Sequence, residues 1–506
     1  MAQVNKQEKY DRQLRLWANN GQSSLESASI LVIEPTITTL ELLKNLVLPG
    51  IGHFTIVGVD KDIDEDDLSN NFYLSDDDIG KSKIDIMAAN LRELNTDVES
   101  SAFKVDSIDL FLATQEDKFW TNYDLVVMNW QIPSIIEKLD QLNVPLFVIN
   151  SIGFYGYIRI FKPTFEIYET HPQSMIDLRI LSPWDELIDY SNSIDLHNLD
   201  IEQHSQIPYL IIQLKALQEW SSKHNGEIPN TSVEKKEFKD LLRSWKKEYN
   251  ELNFDEAIDN SHKIFNKTKY QSNVQEIFDK TDEYFNDDHK RTHFWILVKA
   301  LKEFSLQNDG FLPLSGELPD MDSTTENYIT LQNIYKAKAQ KDLESFTKIL
   351  LKVQESLPLP VTIPKETISS FVKHSKFLFF AQNSKTLITN NFNQIVGEET
   401  TSSQILLSFL VYEKYYLTKG KYPKLQDLDE LINLTHDFIA TDSDKLHNTL
   451  HELARSEGQE LNNIASFIGG IGGQEAIKII TSQYIPLVNT MVYDGIRSVT
   501  ERWKLD

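Results

Sequence analysis

The chain has 506 residues, with 50 lysines and arginines against 76 aspartates and glutamates, and a formal charge of −26. That acidic balance repels nucleic-acid phosphates and anionic membranes, so neither is an expected partner, whereas a basic protein surface suits it. There is no cysteine, which excludes disulfides, cysteine-ligated zinc, iron–sulfur clusters and any thiolate nucleophile or thioester on this chain.

A 41% hydrophobic and 10% aromatic composition excludes global disorder. No stretch approaches 18 consecutive apolar residues, so no membrane span is expected. The lead Met1-Ala2-Gln3-Val4-Asn5-Lys6-Gln7 lacks the apolar core of a secretory signal, and cytosol or nucleus is the expected compartment. Residues 1–25 are polar apart from Tyr10-Asp11-Arg12-Gln13-Leu14-Arg15-Leu16-Trp17, where Tyr10, Leu14 and Trp17 mark one face of a short helix. Ile30-Leu31-Val32-Ile33 reads as a buried strand, and residues 36–48 as a helix ended by Pro49-Gly50. Phe54 to Val59 is a second strand. Strand, helix and strand within about 30 residues form the βαβ unit of a parallel sheet. A helix over 82–93 and strands at Leu125–Met128, Pro145–Ile149 and Gly156–Ile160 continue it.

After residue 165 helical periodicity dominates, as in Leu210/Leu214/Leu217, Phe294/Leu297/Leu301/Phe304 and Ile405/Phe409/Tyr412/Tyr416. From 456 the α/β texture returns. Ile464 to Ser482 reads as a helix, and Asp494-Gly495 as a two-residue hairpin turn between Met491-Val492-Tyr493 and Ile496-Arg497-Ser498-Val499. The expected organisation is one α/β domain made of residues 1–165 and 456–506, interrupted by a helical insertion over 166–455.

The junction of the first strand and helix decides whether the chain holds its own nucleotide. Phosphate-binding folds put glycines there, so that backbone N–H groups at the helix N-terminus approach phosphate closely. This chain has Glu34-Pro35-Thr36-Ile37-Thr38-Thr39. Pro35 removes a donor, Glu34 adds a negative charge and the threonines add bulk, so direct phosphate binding is not expected. The run Gly469-Gly470-Ile471-Gly472-Gly473 follows no strand and reads as close packing of a helix. Asp60-Lys61-Asp62-Ile63-Asp64-Glu65 imitates the start of a calcium loop, but position 6 is Glu65 and position 12 is Asn71. It lacks the sharp turn and the bidentate glutamate a calcium loop needs. His447 and His451 have helical spacing but no third ligand in the sequence, and read as a surface or interface pair. Arg12 and Arg15 are ordinary surface charges by composition. A planar, permanently charged guanidinium is also the group suited to complete another subunit's phosphate site.

The motif at 10–17, together with Leu43-Lys44-Asn45-Leu46-Val47-Leu48-Pro49-Gly50-Ile51-Gly52, resembles the adenylation half of ubiquitin-like-protein activating enzymes. The resemblance is most specific to the regulatory, non-catalytic subunits of Nedd/Rub-activating enzymes, and it runs nearly end to end. Further matching segments include Ser69-Asn70-Asn71-Phe72, Gly156-Tyr157-Ile158-Arg159-Ile160, Phe294-Trp295-Ile296-Leu297, Leu318-Pro319-Asp320-Met321 and Gly473-Gln474-Glu475-Ala476-Ile477-Lys478.

The resemblance implies a Rossmann-like α/β fold, a ThiF-type pseudo-adenylation domain with a large all-helical insertion. It also implies a heterodimer in which a cysteine-bearing catalytic partner binds ATP and magnesium, adenylates the Nedd/Rub-type modifier and carries the thioester. No cofactor or metal is expected on this chain. Arg12, in the Tyr-Asp-Arg-Gln motif, is implied to act in trans at the partner's ATP site, and the conjugating enzyme is a further implied partner. Three departures from catalytic members fit this division: the replaced glycine loop, Asn70-Asn71 in place of a phosphate-binding arginine, and Asn129-Trp130-Gln131 in place of an Asp-rich segment. The alternatives are a SUMO-type non-catalytic subunit, a helical adaptor with a dead nucleotide fold, and an autonomous adenylating enzyme with an unusual loop.

Overall fold

A computed structural model describes residues 6–171, 176–265, 270–383, 392, 396–397, 399–440 and 443–505. The first part of the lead peptide, residues 1–5, lies outside the described residues. The chain divides into two units, one of residues 1–167 with 380–506 and one of residues 168–379.

The first unit is built on an eight-stranded sheet. Its strands are β1 (Ser29–Ile33), β2 (His53–Val59), β3 (Glu99–Val105), β4 (Leu125–Met128), β5 (Leu146–Ile152), β6 (Tyr155–Phe161), β7 (Thr490–Asp494) and β8 (Val499–Trp503). Their order across the sheet is β8-β7-β6-β5-β4-β1-β2-β3. The half β3-β2-β1-β4-β5 is parallel, and β6, β7 and β8 add antiparallel. The parallel half is the doubly wound arrangement, whose strand order reverses between β1 and β4; ligands of such sheets bind at the carboxyl ends of the strands there. β1, β4 and β5 are buried almost throughout, as continuous apolar runs covered on both faces must be.

The helix Ile37–Val47 follows β1 and packs against the helix Asn462–Thr481. The glycine run makes that approach possible. A methyl group on Gly469, Gly472 or Gly473 would lie within 2.6–2.7 Å of Glu41, Ile149 or Asn45. Gly50, with φ +87°, turns the chain out of the first of these helices; its N–H donates to the Val47 carbonyl, and the Ile51 N–H donates to that of Leu46.

Two expectations change in this unit. The helical insertion was expected to run over 166–455, but the chain re-enters the first unit at residue 380, with helices that pack on the sheet. The helix Thr401–Lys419 is buried along most of its length and shares one core with the sheet: Phe409 stacks on Tyr157 of β6 at 5.5 Å, and Ile405 and Leu406 lie in the same cluster as Val148 and Phe161. The terminal hairpin is also longer in its turn than two residues. Val499 pairs with Asp494, leaving 495–498 as the loop, because the buried Asp494 carboxylate accepts from the Ile496 and Arg497 N–H groups and holds those residues out of the strand.

The second unit is helical. Its principal helices are Tyr209–Lys223, Ser232–Ser244, Leu252–Asp259, Ser272–Asn286, His293–Gln307 and the 31-residue Thr325–Glu355. One core joins Leu210, Leu214, Phe238, Phe254, Leu331 and Tyr335. Among the described residues no helix is long and apolar enough to cross a membrane.

Candidate functional site

The carboxyl ends of β1 and β4 bring the Glu34–Thr39 and Asn129–Gln131 segments together. Asn129 Nδ2 donates to the Glu34 carbonyl at 2.6 Å. Glu34 has φ +56°, a strained left-handed conformation for a residue with a Cβ. Its carboxyl is pushed above the usual range, first by burial and then by the charge of Asp109. A nucleotide phosphate would meet this negative group instead of glycine backbone.

The start of the Ile37–Val47 helix has no free donor, and each of its N–H groups can be assigned. Thr36 N–H donates to Thr39 Oγ1 at 2.8 Å and Thr39 N–H to Thr36 Oγ1 at 3.4 Å, a reciprocal cap. Ile37 N–H donates to Glu460 Oε2 at 2.7 Å, and Thr38 N–H to Glu460 Oε1 at 3.0 Å. Thr38 Oγ1 also donates to Glu460 Oε1 at 2.5 Å, and the Ser151 hydroxyl lies 2.7 Å from Thr38 Oγ1 and 3.3 Å from Glu460 Oε1, sharing its one proton between them. Glu460 is only 8% exposed. Burial raises its carboxyl, and the Thr38 and Ile37 donors pull it back in part. A carboxylate of the chain itself therefore stands where this fold presents N–H groups to phosphate.

Beyond the strand ends the space is filled by aromatic rings. Trp130, two residues after β4, stacks on Tyr416 at 4.8 Å, and Tyr416 lies 4.9 Å from Tyr422. Tyr422 in turn lies against Gly458, where a Cβ would come within 2.7 Å of its ring. Gln131 is buried and bridges two buried ionisable side chains. Its Oε1 accepts from Arg159 Nη1 at 2.9 Å, its Nε2 donates to Glu413 Oε2 at 2.9 Å, and its backbone N–H donates to Glu413 Oε1. Burial pushes Glu413 well above the ordinary carboxyl range, opposed by Gln131 and by the charge of Arg159. Asn71 is buried and accepts from the Tyr73 N–H at 3.0 Å, and Asn70 Nδ2 reaches Gln459 Oε1 at 3.4 Å. The positions expected to be degenerate thus carry side chains engaged in packing and internal hydrogen bonds. The residues present do not fit a nucleotide phosphate.

The N-terminal helix, Asp11–Ser27 with a break at Trp17 and Ala18, carries the other candidate. Tyr10 points inward: its hydroxyl donates to Asp97 Oδ2 at 3.1 Å and accepts from Asn95 Nδ2 at 3.0 Å. Trp17 is buried, with Nε1 donating to Gln22 Oε1 at 3.1 Å and its carbonyl accepting from Gln483 Nε2 at 3.0 Å. With both aromatics anchored, Arg12 is exposed between them and makes no hydrogen bond or ion pair among the described residues. Arg15, also exposed, pairs with Asp11 at 2.8 Å.

The other sequence motifs are not brought to this site. The loop after β2 turns its carboxylates to backbone and lysine partners; Asp64 accepts from the Asp67 N–H at 3.1 Å and pairs with Lys61 at 2.9 Å. His447 and His451 lie on the helix Asp444–Ser456, His447 half-buried and His451 exposed. Among the described residues no three histidine, aspartate or glutamate side chains converge as a metal site. The residue that sequence reasoning missed is Glu460. It lies 423 positions from Ile37, and no local pattern links the two.

The ThiF family model matches residues 10–505. A NEDD8-activating enzyme E1 regulatory subunit of Xenopus laevis is 35% identical, covering 100% of this chain and of that protein. The regulatory subunit AXR1 of Arabidopsis thaliana is 34% identical over 98% of this chain and 96% of its own length. The regulatory subunit of Gallus gallus is 33% identical over 99% and 98%.

Proposed function

We propose that this chain, which belongs to the ThiF family and within it to the NEDD8-activating enzyme E1 regulatory subunits, is the non-catalytic half of a heterodimer that activates a NEDD8-type modifier. The observation that carries this reading is the pairing of a closed site with an exposed cation that has no partner among the described residues. Glu460 uses the donors a phosphate would need, while Arg12 stands exposed on an anchored helix. In this reading the catalytic subunit binds ATP and magnesium, adenylates the modifier and carries the thioester, since this chain has no cysteine. Arg12 reaches the partner's ATP site and neutralises phosphate charge as it develops during attack by the modifier's carboxylate. Its planar fork of donors can meet two phosphate oxygens at once, where a lysine offers a point charge. The conjugating enzyme is a further partner, and the complex works in cytosol or nucleus.

The test is reconstitution with the catalytic subunit, comparing wild type with Arg12→Ala. Adenylate formation, followed by ATP–pyrophosphate exchange, is expected to fall about 10²–10³-fold, the scale for losing one transition-state donor, with the heterodimer intact by gel filtration. Exchange at the wild-type rate would refute the role of Arg12.

A further inference from the structure

We infer that Glu460 is a built-in anion: its carboxylate is the permanent ligand of the former phosphate site and holds this unit in its closed arrangement without nucleotide. The inference rests on geometry within one chain and does not depend on Arg12 or on the identity of the modifier.

Both carboxylate oxygens are used. Oε2 takes the Ile37 N–H and Oε1 takes the Thr38 N–H and the Thr38 hydroxyl, while the Ser151 hydroxyl lies 2.7 Å from Thr38 Oγ1 and 3.3 Å from Oε1. Two adjacent N–H groups at a helix N-terminus, flanked by hydroxyls, form the donor set this fold offers to two oxygens of a phosphate. The positive end of the helix dipole favours negative charge at the same point. A buried carboxyl is costly unless hydrogen-bonded, and here the Ile37 and Thr38 N–H groups and the Thr38 hydroxyl compensate it, with the Ser151 hydroxyl behind Thr38 at 2.7 Å.

The segment that delivers the carboxylate is shaped to reach the site. Gly153, with φ +53°, ends β5, and a Cβ there would lie 2.2 Å from Ser456 Oγ. The Gly153 N–H donates to the Gln459 carbonyl at 2.9 Å. Gly458, with φ +81°, lies under the Tyr422 ring. Residues 456–460 are therefore clamped between the end of β5 and the aromatic layer, with Glu460 aimed at the Ile37–Val47 helix. That helix is the one packed against Asn462–Thr481, so the internal anion fixes the arrangement of both helices.

The test uses the full chain carrying Glu460→Ala or Glu460→Gln. Removing the carboxylate leaves a donor set that a small anion can refill. Glu460→Ala is expected to melt roughly 5 °C below wild type. Millimolar formate or inorganic phosphate is expected to restore most of the loss saturably, where chloride at equal ionic strength does not, and the wild type should ignore both anions. In Glu460→Gln, whose amide sets an NH₂ against the helix donors, hydrogen exchange at the Ile37 and Thr38 amides is expected to rise at least tenfold. The second variant decides the matter if the first does not fold. Melting of Glu460→Ala that is indifferent to formate and phosphate, or Ile37 and Thr38 amides in Glu460→Gln protected as in wild type, would overturn the assignment.

Discussion

Gly469→Ala and Gly470→Ala place the same methyl group one position apart on the helix Asn462–Thr481, and their outcomes should have opposite signs. On Gly469 the methyl would lie 2.6 Å from Glu41 Cβ, 2.7 Å from the Thr38 carbonyl oxygen and 2.9 Å from the Leu42 nitrogen. Two of those neighbours are backbone and cannot rotate away. On Gly470 it meets nothing within 4 Å. Either change gains about 1 kcal/mol from replacing glycine in a helix interior. Overpacking costs about 1–3 kcal/mol, with the upper end apt where backbone is struck. Gly470→Ala should therefore stabilise by about 1 kcal/mol and Gly469→Ala destabilise by about 2 kcal/mol. That gap corresponds to melting midpoints roughly 5–10 °C apart. Gly472→Ala should fall between them, because its close neighbours are the mobile tips of Ile149 and Leu42. Thermal unfolding of the three variants decides the point. Equal midpoints for Gly469→Ala and Gly470→Ala would refute the packing account of the glycine run.

The buried ionisable groups beyond β4 yield two further expectations, and the N-terminal helix a third. Gln131→Leu removes the bridge between Arg159 and Glu413 and should destabilise by about 3 kcal/mol; an unchanged urea midpoint would show that the bridge is not needed. Glu413, whose carboxyl burial raises well above its ordinary value of 4.5, binds its proton more tightly folded than unfolded. Its contribution to stability is fully present below that ordinary value and is lost as pH rises toward the raised one. Melting midpoints across this range should fall with pH more steeply in wild type than in Glu413→Gln, and parallel profiles would contradict the assignment. Tyr10→Phe removes the hydroxyl's bonds to Asp97 and Asn95 and should cost about 1 kcal/mol of stability, leaving adenylation by the reconstituted heterodimer near wild type. A loss as deep as that of Arg12→Ala would move the functional group from Arg12 to Tyr10.

The βαβ unit was legible because its signals are local. Ile30–Ile33 is a continuous apolar run, and Pro49-Gly50 ends the helix that follows it. β3 was not anticipated, since Glu99-Ser100-Ser101-Ala102-Phe103-Lys104-Val105 is half-exposed at the edge of the sheet and lacks the apolar run that marks a buried strand. The helical periodicity of Ile405, Phe409, Tyr412 and Tyr416 located the Thr401–Lys419 helix but not the layer that covers it, because periodicity records a buried face and not its neighbour. The helix belongs to the sheet's core, which moves the domain boundary from 455 to 379. At the site, the missing glycines and the negative charge of Glu34 could be read directly. Glu460 could not, because it meets Ile37 only after the two chain ends fold into one unit. The Asp494 turn illustrates the same limit at short range: Asp-Gly marks a turn, but the side-chain bonds of Asp494 to Ile496 and Arg497 set its length.

The most direct measurement of the division of labour is ATP–pyrophosphate exchange and thioester formation with purified modifier, comparing this chain alone, the catalytic subunit alone and the two together. The account predicts no exchange by this chain alone, and a thioester on the partner's cysteine that forms efficiently only when both subunits are present. Exchange by this chain alone would contradict it, because the donors at the Ile37–Val47 helix are held by Glu460 and leave none for a phosphate.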